Sequence, residues 1–118
     1  MKTGTRAVIA FIAGNMSNHS SAVYDYSVGK YRQISGEVSS SNVNVYDYDE
    51  RCYISGNGNS GTYSLYHYGN GSYINLTVNG NQINGYDYDS GDYFSGSISG
   101  RSISVYDYGA SKHFNYSV

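Results

Sequence analysis

Five residues of this 118-residue chain combine metal-ligating or acid–base chemistry with a regular spacing: Asp25, Asp47, His67, Asp87 and Asp107. Each is the centre of a Tyr-x-Tyr triplet, and the triplets begin at residues 24, 46, 66, 86 and 106, in steps of 22, 20, 20 and 20. A belt of Asp25, Asp47, Asp87 and Asp107 carries oxygen ligands of the kind that Ca²⁺ or Mg²⁺ takes. The competing role is local. An aspartate beside a turn accepts hydrogen bonds from the turn amides or from a neighbouring hydroxyl. Equivalent strands of a meander are second neighbours, which holds such carboxylates about 10 Å apart, too far to share one ion. The turn role is therefore the expectation, and no metal or cofactor is assigned.

The flanking tyrosines, Tyr24, Tyr26, Tyr46, Tyr48, Tyr66, Tyr68, Tyr86, Tyr88, Tyr106 and Tyr108, form a second set. Tyrosine offers a rigid aromatic face and a hydroxyl, and beside Ser and Asn it suits sugars or protein surfaces. Recurrence in every unit also fits cross-strand aromatic packing, which stabilises pairing and register. One small ligand does not need ten tyrosines, whereas a polysaccharide or another copy of the chain presents a repeating partner.

Nothing in the chain announces a reaction. His19, His67 and His113 have no metal-ligand spacing. Cys52 lies beside Arg51 in a turn, where a cation can lower a thiol pKa, but a single such cysteine names no chemistry. No nucleophile elbow is present. The glycine-rich residues 56–61 lack the lysine and the following helix of a phosphate loop. The expectation is a non-enzymatic protein.

The elements that must position these residues follow from composition and alternation. Sixteen tyrosines and 15 glycines occur with no proline and no tryptophan. Tyr, Val, Ile and Thr favour strands, and strong helix formers are few. The cleanest unit, residues 93–108, alternates large apolar with small polar residues on both sides of Gly100-Arg101, and the unit before it turns at Asn79-Gly80. Two period-two runs joined by such a turn make a β-hairpin. Tyr31, Tyr53, Tyr73, Tyr93 and then His113 each follow the last Tyr of a triplet by five residues, so hairpin leads to hairpin. Residues 57–62 read as the loosest tip.

The predicted architecture is all-β: an antiparallel up-and-down meander of ten or eleven strands, a closed or nearly closed barrel of five hairpin repeats of about 20 residues. A solenoid would stack like-charged aspartates about 4.8 Å apart, which disfavours it. Aliphatic residues such as Ile74, Leu76, Val105 and Val45 share one face of the strands and point inward, with Gly36, Gly56, Gly85 and Gly96 on the same face. Both tyrosines of each triplet then point outward. Residues 1–118 form a single domain, with an N-terminal strand over residues 5–16 and a C-terminal strand over 112–118. Residues 6–13 are apolar on both faces and so call for burial on both, either as a plug in the barrel or against another subunit.

Net charge is −2 with seven Lys plus Arg, which is no nucleic-acid surface. No stretch has the length of a transmembrane helix. Lys2 and Arg6 before a seven-residue apolar run make a very short signal-like pattern, outweighed by its fit to the repeat. No compartment is assigned, with the cytoplasm as default. The functional expectation is a binding module that contacts a glycan or a protein through its tyrosine-rich surface. The alternative is a self-assembling structural subunit that pairs a spare terminal strand between chains.

Overall fold

The computed structural model describes residues 1–118. A helix, α1 (Thr3–Gly14), precedes ten strands: β1 (Ala22–Asp25), β2 (Lys30–Val38), β3 (Asn42–Asp47), β4 (Cys52–Asn59), β5 (Thr62–His67), β6 (Ser72–Asn79), β7 (Gln82–Asp87), β8 (Asp92–Ser99), β9 (Ser102–Asp107) and β10 (Lys112–Ser117). Each strand pairs antiparallel with the next, and β10 returns to β1, so the sheet closes into a barrel. Closure with an even strand number lets the first and last strands run antiparallel, like every other pair.

The two ends of the barrel use different turns. At the Tyr-x-Tyr end each hairpin has a four-residue turn, and its fourth residue takes a positive φ: Gly29 (69°), Arg51 (55°), Gly71 (66°), Gly91 (73°) and Ser111 (52°). At the opposite end the strands turn in two residues at Ser60-Gly61, Gly80-Asn81 and Gly100-Arg101, and in three at residues 39–41. Residues 57–62 are not loose: β4 runs to Asn59, and Ser60 and Gly61 both adopt the positive φ (53° and 85°) of a primed turn.

The expected N-terminal strand over residues 5–16 does not form; residues 3–14 are an α-helix threaded through the barrel. The expectation of burial on all sides holds, since residues 7–13 are at most 1 % exposed. The geometry differs because of backbone hydrogen bonding. Inside a closed sheet no strand edge is free, so a central segment must satisfy its own N–H and C=O groups, which only a helix does. The bore permits it. About eight strands give an interior filled by their own side chains, and ten give a wider one. Ala7, Ala10 and Ala13 keep the helix slim and favour its formation. Ile34, Ile54, Leu65, Leu76, Phe94 and Val105 close around it from the barrel wall. No helix of the protein is long and apolar enough to cross a membrane.

Glycine on the inner face serves the curvature of the sheet. A Cβ on Gly56 would run into the carbonyl oxygen of Ser64, and one on Gly96 into that of Ser104, both on the adjacent strand. The neighbouring backbone, not the central helix, excludes a side chain there, which is where a strand coils sharply.

The fivefold repeat breaks at two seams. The first turn amide of a hairpin donates to the aromatic residue at the start of the preceding strand in three cases, Tyr68 to Tyr53, Tyr88 to Tyr73 and Tyr108 to Tyr93, whereas Tyr48 N donates to Gln33 O, two residues beyond the equivalent Tyr31. Where β1 meets β10, Tyr26 N donates to Asn115 O, two residues beyond the equivalent His113. An even slip preserves which side chains face inward. It also shortens the pairing to Tyr24↔Ser117 and Asp25↔Tyr116.

Candidate functional site: a tyrosine girdle over a buried acidic belt

Cross-strand register turns the triplets into clusters of three rings. In each hairpin the first Tyr of the triplet pairs directly with the aromatic residue that opens the next strand: Tyr24↔Tyr31, Tyr46↔Tyr53, Tyr66↔Tyr73, Tyr86↔Tyr93 and Tyr106↔His113. The second Tyr of the triplet packs on the other side of the first. All ten ring pairs are edge-to-face, with centroids 4.7–4.9 Å apart and interplanar angles of 64–77°. The central ring is half-buried. The outer two are open to solvent, from 51 % for Tyr48 to 72 % for Tyr31.

The clusters also touch across hairpins. Ser35 and Asn75 donate to the hydroxyls of Tyr48 (3.3 Å) and Tyr88 (3.2 Å), and the Ser95 and Tyr108 hydroxyls lie 3.4 Å apart. Tyr48, Tyr88 and Tyr108 thus lean over the preceding strand, and the five clusters ring one end of the barrel as a girdle. All ten tyrosines singled out in the sequence face outward in it. Tyr31, Tyr53, Tyr73 and Tyr93 belong to it equally. Their five-residue offset from the triplets was the available signal, but the partnership needs the turn to be closed. Tyr63 and Tyr116 lie inside the barrel, 2 % and 1 % exposed.

The middle residues of the triplets point inward and are buried: Asp25, Asp47, His67, Asp87 and Asp107 are all at most 2 % exposed. They work as turn anchors. Asp25 accepts from Ser27 N (2.9 Å), Asp47 from Asp49 N (3.0 Å), Asp87 from Asp89 N (3.2 Å) and Asp107 from Gly109 N (2.9 Å). His67 does the same through Nδ1, which accepts from Asn70 N at 3.1 Å. The weaker alternative is a cation held by Asp25, Asp47, Asp87 and Asp107. No three His, Cys, Asp or Glu side chains gather closely enough to hold an ion. The first turn of α1 stands inside the belt, reaching Asp107 through Arg6, Asn70 through Thr5, and Arg32 and Glu50 through Gly4. The helix itself carries no acidic residue in that turn. The surrounding carboxylates face its positive dipole end instead.

Two of the four belt aspartates are paired with cations, and Asp25 and Asp87 are not. Asp107 Oδ2 takes both the Met1 amine and Arg6 Nη1 at 3.1 Å, and Asp47 Oδ2 takes Arg32 Nε at 3.2 Å. Burial alone would raise the Asp107 pKa, but hydrogen bonds from the Met1 amine, the Ala110 amide and Arg6 hold it below the usual carboxylate value. Cys52 Sγ lies 4.0 Å from His67 Nδ1. Burial pushes the Cys52 thiol up and the His67 imidazole down. Both are therefore neutral at pH 7, the reverse of an activated thiolate–imidazolium pair.

Above the girdle the outer wall is uncharged. Outward strand positions are filled by Ser, Asn, Thr, Gln and Tyr, apart from Ala22 and His113, and Glu37 is the single Asp, Glu, Lys or Arg among them. Four open grooves of about 590, 620, 590 and 450 Å³ lie in this wall, each bordered by girdle tyrosines and floored by Ser, Asn or Thr. Searches against family models, curated proteins and solved structures gave no match to this chain.

Proposed function

We propose that the protein is a non-catalytic binding module whose outer girdle contacts a hydroxyl-rich partner, a glycan first and a protein surface second. The supporting observation is the pairing of exposed tyrosines with uncharged grooves. Each groove sets an aromatic ring, which suits the C–H face of a sugar, beside hydroxyl and amide groups that match sugar hydroxyls. Nine tyrosines more than half exposed amount to roughly 1,000 Å² of aromatic surface.

The self-assembly reading loses its motive. Ten strands close on themselves, and the segment expected to be a spare strand is a helix inside the barrel. The direct test is binding to a panel of immobilised glycans, with Tyr86→Ala and Tyr106→Ala compared against the parent chain. Retention that drops in the variants while their far-UV spectra stay unchanged supports the reading. Equal retention in parent and variants counts against it.

A further inference from the structure

We propose that one barrel is multivalent: its outer grooves, three of which share no lining residue, each accept a stretch of an uncharged glycan, so that a single chain ties several glycan strands together. This rests on the binding reading above and adds the number of sites, their directions and the charge class of the ligand.

The number comes from the grooves. Their volumes, 450 to 620 Å³, each fall in the range of a small-ligand site. The grooves at Tyr68, Tyr108 and Tyr26 have no lining residue in common, while the one at Tyr88 shares Ser64 and Tyr73 with the first and Asn75 with the second, which leaves three separate seats. The repeat supports this, because successive hairpins set the same ring beside the same kind of polar strand.

The directions come from closure. The groove at Tyr68 is floored by β3, β4 and β5, and the one at Tyr26 by β8, β9 and β10. Their central strands, β4 and β9, are five apart in a closed ring of ten. They face opposite sides of a body measuring 30 × 29 × 28 Å. A stiff glycan seated in one cannot enter the other. A flexible one must bend half-way round the barrel, so separate strands fill them with less strain. Binding several segments of a long polymer then raises avidity with no new contact.

The charge class comes from the wall. Lys30, Asp49, Glu50, Arg51, Asp89 and Lys112 all sit in or beside the turns at the girdle end, and the groove linings hold no charged residue. A uronic or sulfated sugar finds no counter-charge there. A neutral one forfeits nothing.

The experiment uses the full chain with cellohexaose, maltohexaose and xylohexaose by calorimetry, and with their parent soluble polymers by light scattering. Expected are several hexasaccharides bound per chain, and a rise in scattering with polymer that excess hexasaccharide reverses. Tyr68→Ala and Tyr108→Ala, which alter different grooves, each lower the stoichiometry by one site and leave the remaining sites at parental affinity. One site per chain without scattering overturns multivalency and leaves the binding reading intact. Tighter binding of polygalacturonate than of the neutral polymers overturns the charge class. No binding of any of these sugars overturns the glycan reading itself, and this inference with it. A partner captured only as protein would do the same.

Discussion

Arg6 Nη1 lies 3.1 Å from Asp107 Oδ2, joining the central helix to a wall strand 101 residues away in sequence. Asp107 is the last residue of β9, and its other oxygen anchors the turn that follows through Gly109 N. One side chain therefore ties the helix, a strand end and a girdle turn together. The Arg6 guanidinium also lies 3.7 Å over the Phe114 ring, so its charge is held by a carboxylate and a ring face together.

Breaking this link leaves Asp107 buried with the Met1 amine as its only remaining cation. Arg6→Met is expected to cost about 3 kcal/mol in urea unfolding. Arg6→Met with Asp107→Asn should cost less than the sum of the two single changes, because the two side chains pair with each other and that interaction is lost only once. Strict additivity would show that the pair does not couple helix to wall.

Stability should depend on pH on both sides of neutrality. Burial lowers the His67 pKa below 6.5, so below that pH the unfolded chain binds a proton that the native state resists. Stability then falls with falling pH, beginning near 6.5. Asp107, held below 3.8, adds a second loss only under that value. On the alkaline side the raised Cys52, Tyr63 and Tyr116 pKa values keep protons that the unfolded chain releases, so stability falls above about pH 9. His67→Asn preserves an acceptor for Asn70 N and should erase the decline that starts near 6.5. Unfolding free energies that are flat from pH 7 to pH 4 in the parent chain would refute the assignment.

Two glycines should differ sharply in what replacement costs. Gly100 has φ of 60° and open space around it, which Asn tolerates. Gly96 has the Ser104 carbonyl where a Cβ would stand. Gly100→Asn is expected to be nearly neutral, whereas Gly96→Ala should cost about 2 kcal/mol through backbone displacement. Similar melting temperatures for the two variants would mean the sheet is less tightly coiled than described.

The girdle should carry stability as well as binding. Tyr86 makes edge contacts with both Tyr88 and Tyr93, so Tyr86→Ala forfeits two aromatic pairs, roughly 1–3 kcal/mol. Tyr88 is 56 % exposed and makes one such contact, so Tyr88→Ala should cost under about 1 kcal/mol. Equal losses in thermal unfolding would place the two rings in equivalent surroundings, against the cluster geometry.

Much of the candidate site was legible from period and alternation. Alternation placed Asp87 inward and Tyr86 outward, and the triplet offset placed both beside a turn. The trio Tyr86–Tyr88–Tyr93 was not assembled in advance, because Tyr93 reaches Tyr86 only when the four-residue turn sets the register. Nor could spacing show the grooves, which lie between hairpins and depend on how the sheet curves.

The chain by itself determined the hairpins, the inner and outer faces and the all-β class, because those are local: a side-chain period of two and turns that demand positive φ. Tertiary structure alone decided the rest. Residues 6–13 read as a doubly buried strand, and only closure of the sheet, which leaves no edge to pair with, forces them into a helix that bonds to itself. The same closure slips Tyr26 two residues along β10, a second break in the fivefold repeat beside the one at Gln33. Both are properties of the ring as a whole, and no window of the sequence contains the ring.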